Sequence, residues 1–211
     1  VKITPTILLN NKSKINNKEK LTVLHASTAK GGTKRYIYET EDELLETFLE
    51  TIEVLSTCRN IKLIIKFRAT ETFSFKSLKA LLGNLPDNAS LESDAPFGYF
   101  LASSHLLMSF SSTTIEEALI NDTPVLLYGG KGRYSHIPTV PFKLGKTDDI
   151  LTPVTFVDNR ESLADYFKVL DKNFDKFIDH QFDFSRYRLK DSMGVLDWLD
   201  QKSIFNEERS I

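Results

Sequence analysis

The stretch that decides the fold of this chain is Ser109-Phe110-Ser111-Ser112-Thr113-Thr114-Ile115-Glu116-Glu117-Ala118-Leu119. Its first residues close an apolar run, residues 105–110, which is typical of a buried strand. Four hydroxyl residues then lead directly into a helical pattern over residues 113–120, and a second apolar run follows at 124–128. Buried strands that alternate with amphipathic helices indicate a parallel sheet covered by helices on both faces.

The same alternation extends in both directions along the chain. Apolar runs predict six strands, at 21–26, 61–66, 89–92, 105–110, 124–128 and 154–157. Helical spacing predicts helices at 41–57, 74–82, 96–102, 113–120, 160–177 and 191–201. The pairs Thr40 with Glu43 and Asp158 with Glu161 have the spacing of capping boxes. We therefore expect an α/β fold, a doubly wound, mostly parallel, Rossmann-like sheet with further helices at the C-terminal end. In such folds ligands bind beyond the carboxyl ends of the strands.

Composition and charge exclude several classes of protein. The 211 residues are 41% apolar and 27% charged, as in ordinary globular proteins. The 27 Lys and Arg balance 29 Asp and Glu, a formal net charge of −2, which argues against a nucleic-acid-binding module. A single cysteine excludes an intramolecular disulfide framework. No apolar run approaches the ~20 residues of a transmembrane helix. The four histidines lack metal-ligand spacing, so neither a metal nor another cofactor is expected.

Three regions follow from the composition along the chain. Residues 1–20 are polar and rich in lysine, which predicts a linker or N-terminal arm. Residues 21–180 carry the strand and helix pattern of the Rossmann-like domain, and residues 181–211 form a C-terminal helical extension. The first residue is Val1 rather than methionine, so we expect a piece of a longer protein.

The turn after the strand at 105–110 is the strongest candidate site. Unpaired backbone N–H groups at the start of a helix favour an anion, and the hydroxyls of Ser111, Ser112 and Thr113 add further donors. A phosphate or diphosphate fits this chemistry. Glu117, one turn later, could accept hydrogen bonds from a ribose diol. The alternative is that Thr113 and Glu116 form a capping box, which needs no ligand.

This block resembles the nucleotide-binding half of GT-B glycosyltransferases and is similar to the related UDP-N-acetylglucosamine 2-epimerases. The resemblance is carried by Ser111-Ser112-Thr113, Glu116-Glu117-Ala118 and Asp122-Thr123-Pro124-Val125. It implies that Ser111, Ser112 and Thr113 hold the diphosphate of a nucleotide sugar and that Glu117 holds the ribose. Ser112 and Thr113 stand where the epimerase pattern has glycines. Bacterial CMP-sugar transferases carry a Ser/Thr-rich turn there, so the nucleotide stays open among UDP, CDP and CMP.

Two other predicted loops lie at the same edge of the sheet. Lys66 and Arg68 end the second strand and could meet a phosphate from the other side, or be solvated cations. Ser27 and Thr28 begin a small-residue loop whose equivalent in GT-B enzymes approaches the donor phosphates. His25 could point into the same site or be a packed histidine. The glycine-rich segment 129–138, with Lys131 and Arg133, could form a flap over the donor or an ordinary surface loop.

The resemblance implies the donor-binding half of a glycosyltransferase that extends a surface polysaccharide from a nucleotide sugar. A second, N-terminal domain would carry the acceptor site and the catalytic base, so this chain alone is expected to have little or no activity. Its catalytic residues are not assigned. A cytoplasmic location, peripheral to the membrane at most, is expected. Two alternatives stay open: a fragment of a nucleotide-sugar 2-epimerase, and a non-catalytic Rossmann-like module that mediates assembly.

Overall fold

A parallel sheet forms the centre of the protein in a computed structural model, which describes residues 2–4, 19–27, 39–69, 74–110, 112–129, 137–187 and 192–194. Over this part of the chain nine strands are present. They are β1 (Lys2–Thr4), β2 (Leu21–His25), β3 (Ile61–Lys66), β4 (Ala89–Glu92), β5 (Leu106–Ser109), β6 (Val125–Leu127), β7 (Val140–Pro141), β8 (Val154–Phe156) and β9 (Ser192–Gly194). Seven of them form one sheet in the order β4-β3-β2-β5-β6-β8-β7.

Six α-helices and one 3₁₀ helix connect these strands within the described residues. The helices are α1 (Glu41–Ser56), α2 (Phe75–Leu82), α3 (Phe97–Ala102), α4 (Thr114–Ile120), α5 (Arg160–Lys172) and α6 (Phe174–Asp179), with the 3₁₀ helix at Thr147–Leu151. None of the helices in this part of the chain has both the length and the apolarity that a membrane crossing requires.

The strand order reverses at β2, which fixes where a ligand can enter. From β2 the chain proceeds outward through β3 and β4, and then returns to place β5 on the other side of β2. All the pairings are parallel, with Leu24 of β2 opposite both Ile64 of β3 and Leu107 of β5. The connections after β2 and β5 therefore leave the sheet on opposite faces. Such a reversal opens a crevice at the carboxyl ends of the two central strands.

Two apolar cores cover the two faces of the sheet. Alternate residues of each strand point to opposite faces, so Val23 and Leu24 of β2 belong to different cores. One core includes Phe48 of α1, together with side chains of α2, α5 and α6. The other includes Phe100 of α3 and Ile115 of α4. The doubly wound α/β fold predicted from the sequence is thereby confirmed, and all six predicted strands are present.

Helix ends follow the predicted capping chemistry in one case and depart from it in another. At α1 the Glu43 N–H donates to Thr40 Oγ1 (3.3 Å) and the Thr40 N–H to Glu43 Oε2 (2.8 Å), so this capping box is confirmed. At α5 the predicted box of Asp158 with Glu161 is wrong. Asn159 caps the helix instead, because its Oδ1 accepts from the Ser162 N–H at 2.8 Å.

Two predicted helices differ in the structure. The helix expected at 160–177 stops after Lys172, where the Asn173 side chain donates to the Val169 carbonyl (2.7 Å), and α6 then begins at Phe174. The final helix expected at 191–201 is wrong for Ser192–Gly194, which form β9, and its other residues lie outside the described ones. β9 pairs with β1, inside the predicted N-terminal arm. Local periodicity could not predict a pairing between the two ends of the chain.

Candidate functional site

The crevice between β2 and β5 is closed at its base by hydrogen bonds that continue past the ends of both strands. The Ala26 N–H donates to the Met108 carbonyl (3.0 Å), and Ser109 Oγ donates to the Ala26 carbonyl (2.5 Å). One residue further, the Phe110 N–H donates to Ser27 Oγ (3.2 Å). Ser27 and Ser109 are both buried. The two loops that the sequence marked as candidate phosphate loops therefore leave the sheet side by side.

The cap of α4 lies one residue earlier than the sequence suggested. Ser112 Oγ accepts from the Thr114 N–H (3.4 Å), and the Ser112 carbonyl accepts from the Ile115 N–H (3.1 Å). Thr113 already has helical backbone angles and makes no capping bond, so the predicted box of Thr113 with Glu116 is wrong. Thr113 is exposed, and its hydroxyl is at the surface of the turn. Ser111 lies outside the described residues.

Glu117 lies one turn into α4 and is half-buried. Its N–H donates to the Thr113 carbonyl (3.2 Å), which places the two residues on the same side of the helix. Burial raises the pKa of the Glu117 carboxyl, and no hydrogen bond or charged neighbour in the described part of the chain contributes to that shift. A carboxylate in this position can accept hydrogen bonds from a ligand hydroxyl.

Lys66 ends β3 on the same face of the sheet as α4. Its Nζ donates to the Ser93 carbonyl and lies 5.6 Å from the centre of the Phe100 ring in α3. Burial lowers the pKa of Lys66, and the carboxylates of Asp94 and Glu92 oppose that shift. Arg68, two residues later, is exposed. Since β2 alone separates β3 from β5, the Lys66 backbone lies about 10 Å, two strand spacings, from the end of β5.

His25 lies on the other face of the sheet and does not join this group. The residue is fully buried against Phe48 of α1, with ring centres 4.7 Å apart in an edge-to-face arrangement. Neither ring nitrogen has a hydrogen-bond partner among the residues that the structure describes. Burial lowers the pKa of His25 to about 3, so the ring is neutral. The interpretation of His25 as a packed histidine is confirmed.

A second cleft, which the sequence did not reveal, lies on the α1 and α5 side of the same edge. It has a volume of about 370 Å³ and is lined by carboxylates of α1 and by the start of α5. Tyr128 at its base donates its hydroxyl hydrogen to Glu50, and Arg160 pairs with Glu53 at 2.5 Å. The sequence feature that could have indicated this cleft is the row of acidic residues along one face of α1. Such a row is equally typical of a helix face exposed to solvent. Among the described residues, no three His, Cys, Asp or Glu side chains are arranged to hold a metal ion.

The two remaining loop predictions fall on undescribed residues. Thr28 lies outside the described ones, as do Lys131 and Arg133 of the predicted flap. The structure does describe Gly129, which begins that segment at the end of β6. Its φ is +122°, and a Cβ at this position would collide with the buried carboxylate of Glu39. A side chain at residue 129 is therefore disfavoured on both conformational and steric grounds.

Comparison with known proteins identifies the fold. No protein-family model matches the chain, and no curated protein matches it in sequence. The chain is similar to a UDP-GlcNAc 2-epimerase from Neisseria meningitidis bound to UDP-GlcNAc, with a TM-score of 0.50 and 15% identity over 91% of this chain. It is similar to MnaA of S. aureus, solved with UDP, with a TM-score of 0.52 and 13% identity over 97% of this chain. It is also similar to the calicheamicin glycosyltransferase CalG4, with a TM-score of 0.52 and 13% identity over 96% of this chain.

The chain has the fold of one half of these enzymes. It covers 45%, 50% and 48% of the three solved chains, respectively. The fold that the resemblance to GT-B glycosyltransferases and 2-epimerases predicted is confirmed by this likeness. At identities of 13–15% the likeness concerns the fold alone.

Proposed function

We propose that this chain is the donor-binding half of a GT-B-type glycosyltransferase that uses a nucleotide sugar. The observation that carries the proposal is the position of the Ser/Thr turn. Ser112, Thr113 and Glu117 follow β5 at the reversal of strand order, where open α/β sheets bind ligands. Two of the proteins that share this fold were solved with UDP-GlcNAc or UDP. This supports a nucleotide sugar as the ligand and favours UDP over CDP and CMP.

Each candidate residue has a definite role in this proposal. Ser111, Ser112 and Thr113 donate hydrogen bonds to the diphosphate through hydroxyl and backbone N–H groups. The Glu117 carboxylate accepts from the ribose diol. Lys66 and Arg68 approach the diphosphate from the β3 side, which lies about 10 Å, two strand spacings, from the end of β5. For this the Lys66 Nζ exchanges the Ser93 carbonyl for a phosphate oxygen. Thr28 is proposed to donate its hydroxyl hydrogen to the diphosphate as well. The hydroxyl of Ser27 is already bonded to the Phe110 N–H, which favours an indirect role for it.

These groups would act on the leaving nucleotide rather than on the sugar. Negative charge develops on the diphosphate as the sugar is transferred, and fixed donors around it stabilise that charge. The proposal assigns the acceptor site and the catalytic base to an N-terminal domain, and it includes a growing surface polysaccharide as acceptor. It also includes a cytoplasmic location, peripheral to the membrane at most.

A 2-epimerase half is the second candidate, because one of the three structures above is a UDP-GlcNAc 2-epimerase. Ser112 and Thr113 in place of the glycines of the epimerase pattern favour the transferase. The two functions differ in products. With the complementary half supplied, an epimerase interconverts free nucleotide sugars in the absence of any acceptor, whereas the proposed transferase forms a new glycosidic bond on an acceptor.

Thermal-shift titration of the 211-residue chain with UDP, CDP, CMP, GDP and ADP tests the proposal. A ligand at 100 times its Kd raises the free energy of unfolding by about 2.7 kcal/mol, and a change of this size produces a measurable rise in Tm. We expect a rise with one pyrimidine nucleotide that is reduced in Thr113→Val and Glu117→Gln. Glu161→Gln is the matched control, because this exposed carboxylate lies in the first turn of α5 rather than α4. No rise with any of the five nucleotides, in a chain that unfolds cooperatively, would contradict the proposal and favour the assembly module.

A further inference from the structure

Three buried or partly buried hydroxyls form a cluster where β2 and β5 end. This hydroxyl cluster consists of Ser27, Ser109 and Thr114. Ser109 is at its centre: its Oγ lies 3.4 Å from both Ser27 Oγ and Thr114 Oγ1. Ser109 and Ser27 are 0% and 3% exposed. Hydroxyls this deep are retained in a fold only where they are hydrogen-bonded.

Each hydroxyl of the cluster joins a different pair of backbone segments. Ser109 Oγ donates to the Ala26 carbonyl at 2.5 Å, which ties the end of β5 to the loop after β2. Thr114 Oγ1 reaches the same carbonyl at 3.5 Å from the first residue of α4. Ser27 Oγ accepts from the Phe110 N–H at 3.2 Å, which ties the loop after β2 back to the turn after β5. The contacts are reciprocal, so neither segment can shift along the strand direction without breaking at least one of them.

The sheet alone does not fix these two loops. The ladder between β2 and β5 ends at the pair His25 and Met108, followed only by the bond from the Ala26 N–H to the Met108 carbonyl. Among the described residues, the hydroxyl cluster supplies the further contacts between Ala26 and Ser27 on one side and the residues that follow β5 on the other. These contacts lie where the proposed diphosphate would need the two segments at a set distance.

We propose that Ser109, with Ser27 and Thr114, is a positioning residue that holds residues 26–27, after β2, and residues 110 and 112–114, after β5, at the separation needed for a nucleoside diphosphate. The inference rests on the proposed function. Ser109 touches no ligand in this scheme. It acts through the Ala26 carbonyl and through Thr114, and Ser27 acts through the Phe110 backbone. The cluster therefore affects the binding of ligands whose phosphates contact both segments, as a nucleoside diphosphate would.

The test compares Ser109→Ala with Ser109→Thr and with a matched control, Ser104→Ala. Ser104 is also a buried serine whose Oγ donates to a backbone carbonyl, that of Phe100 at 2.7 Å, but it lies before β5, at the opposite edge of the sheet. Two quantities are measured for each chain: the Kd of UDP by calorimetry well below Tm, and the amide hydrogen exchange of residues 110 and 112–114 without ligand.

We expect Ser109→Ala to raise the Kd of UDP about tenfold, the equivalent of one lost hydrogen bond to a charged group, and to speed exchange at Phe110 and Thr114. Ser109→Thr, which keeps the hydroxyl, should restore much of the affinity. Ser104→Ala should lower Tm as a lost buried hydrogen bond does and leave the Kd of UDP unchanged.

Two results would overturn the inference, and they differ from failure of the proposed function. If the unchanged chain binds UDP and Ser109→Ala binds it equally well, Ser109 has only a structural role. If exchange at Phe110 and Thr114 is the same in Ser109→Ala and in the unchanged chain, the cluster does not hold the turn. If the unchanged chain binds no nucleotide, the proposed function fails, and the exchange data alone decide whether the cluster positions the loops.

Discussion

The buried His25 makes the free energy of unfolding of this protein depend on pH, and replacing His25 removes its contribution to that dependence. In the fold the ring is fully buried and faces Phe48, and within the described part of the chain neither nitrogen has a hydrogen-bond partner. Burial lowers the pKa of His25 to about 3, from 6.5 in an unfolded chain. Between these two values the unfolded chain binds a proton at this residue and the folded chain does not. The free energy of unfolding therefore decreases as the pH falls below 6.5.

The size of the effect follows from the pKa shift. Each pH unit between the two pKa values changes the free energy of unfolding by about 1.36 kcal/mol. At pH 5, which is 1.5 units below the unfolded value, His25 should therefore have removed about 2 kcal/mol of stability. The loss continues as the pH falls towards 3 and amounts to about 5 kcal/mol in total. Most domains have only about 5–15 kcal/mol of stability in all, so the loss is measurable.

Urea unfolding of the unchanged chain and of His25→Leu, each at pH 8 and pH 5, isolates this residue. Leucine is of similar volume, and no hydrogen bond is lost, so we expect the variant at pH 8 to stay within about 1.5 kcal/mol of the unchanged chain. Between pH 8 and pH 5 the unchanged chain should lose about 2 kcal/mol more than His25→Leu. All other titratable groups are common to both chains, so their contributions cancel in the difference. Equal losses in the two chains would refute the argument that His25 is buried without a partner.

Two further substitutions test particular features of the fold. Gly129→Ala should lower the free energy of unfolding by about 1–3 kcal/mol, because residue 129 has φ +122° and an added Cβ would meet Glu39 and lie 3.2 Å from Phe110 Cβ. Gly145→Ala is the control, because Gly145 has φ +91° and no atom lies within 4 Å of an added Cβ. If urea unfolding shows an equal loss of stability in both variants, the steric contribution at residue 129 is refuted. Asn88→Ala should lower the free energy of unfolding by about 1–3 kcal/mol, since the carbonyls of Leu55 (2.9 Å), Cys58 (3.2 Å) and Ile61 (3.1 Å) share the two hydrogens of Asn88 Nδ2. The exposed Asn84→Ala is its control, and a similar Tm for the two variants would show that the three contacts add nothing.

The sequence predicted a candidate site at the turn after β5, but it did not predict the hydrogen bonds that hold this turn. The turn at 111–113 and Glu117 were recognisable because hydroxyl residues between a buried strand and a helix form a local pattern. The capping bond of α4 was assigned to Thr113, whereas Ser112 makes it, since capping depends on backbone angles that the residue types do not determine. Ser27 was expected to face the phosphates, and its hydroxyl instead joins Phe110, whose position depends on a strand 82 residues away from Ser27. The acidic cleft of α1 and α5 was missed because it, too, is formed by segments that are far apart in the sequence.

The sequence by itself determined the class of fold, the six principal strands and the helices between them. Strand and helix periodicities are local, because buried faces recur every second residue or every third to fourth residue along one element. Only the tertiary structure decided the order of the strands, the burial of His25 on the α1 face and the hydroxyl cluster of Ser27, Ser109 and Thr114. Each of these depends on segments far apart in the chain meeting at one edge of the sheet. Such meetings are set by the summed packing of two cores, and no single stretch of sequence carries that information.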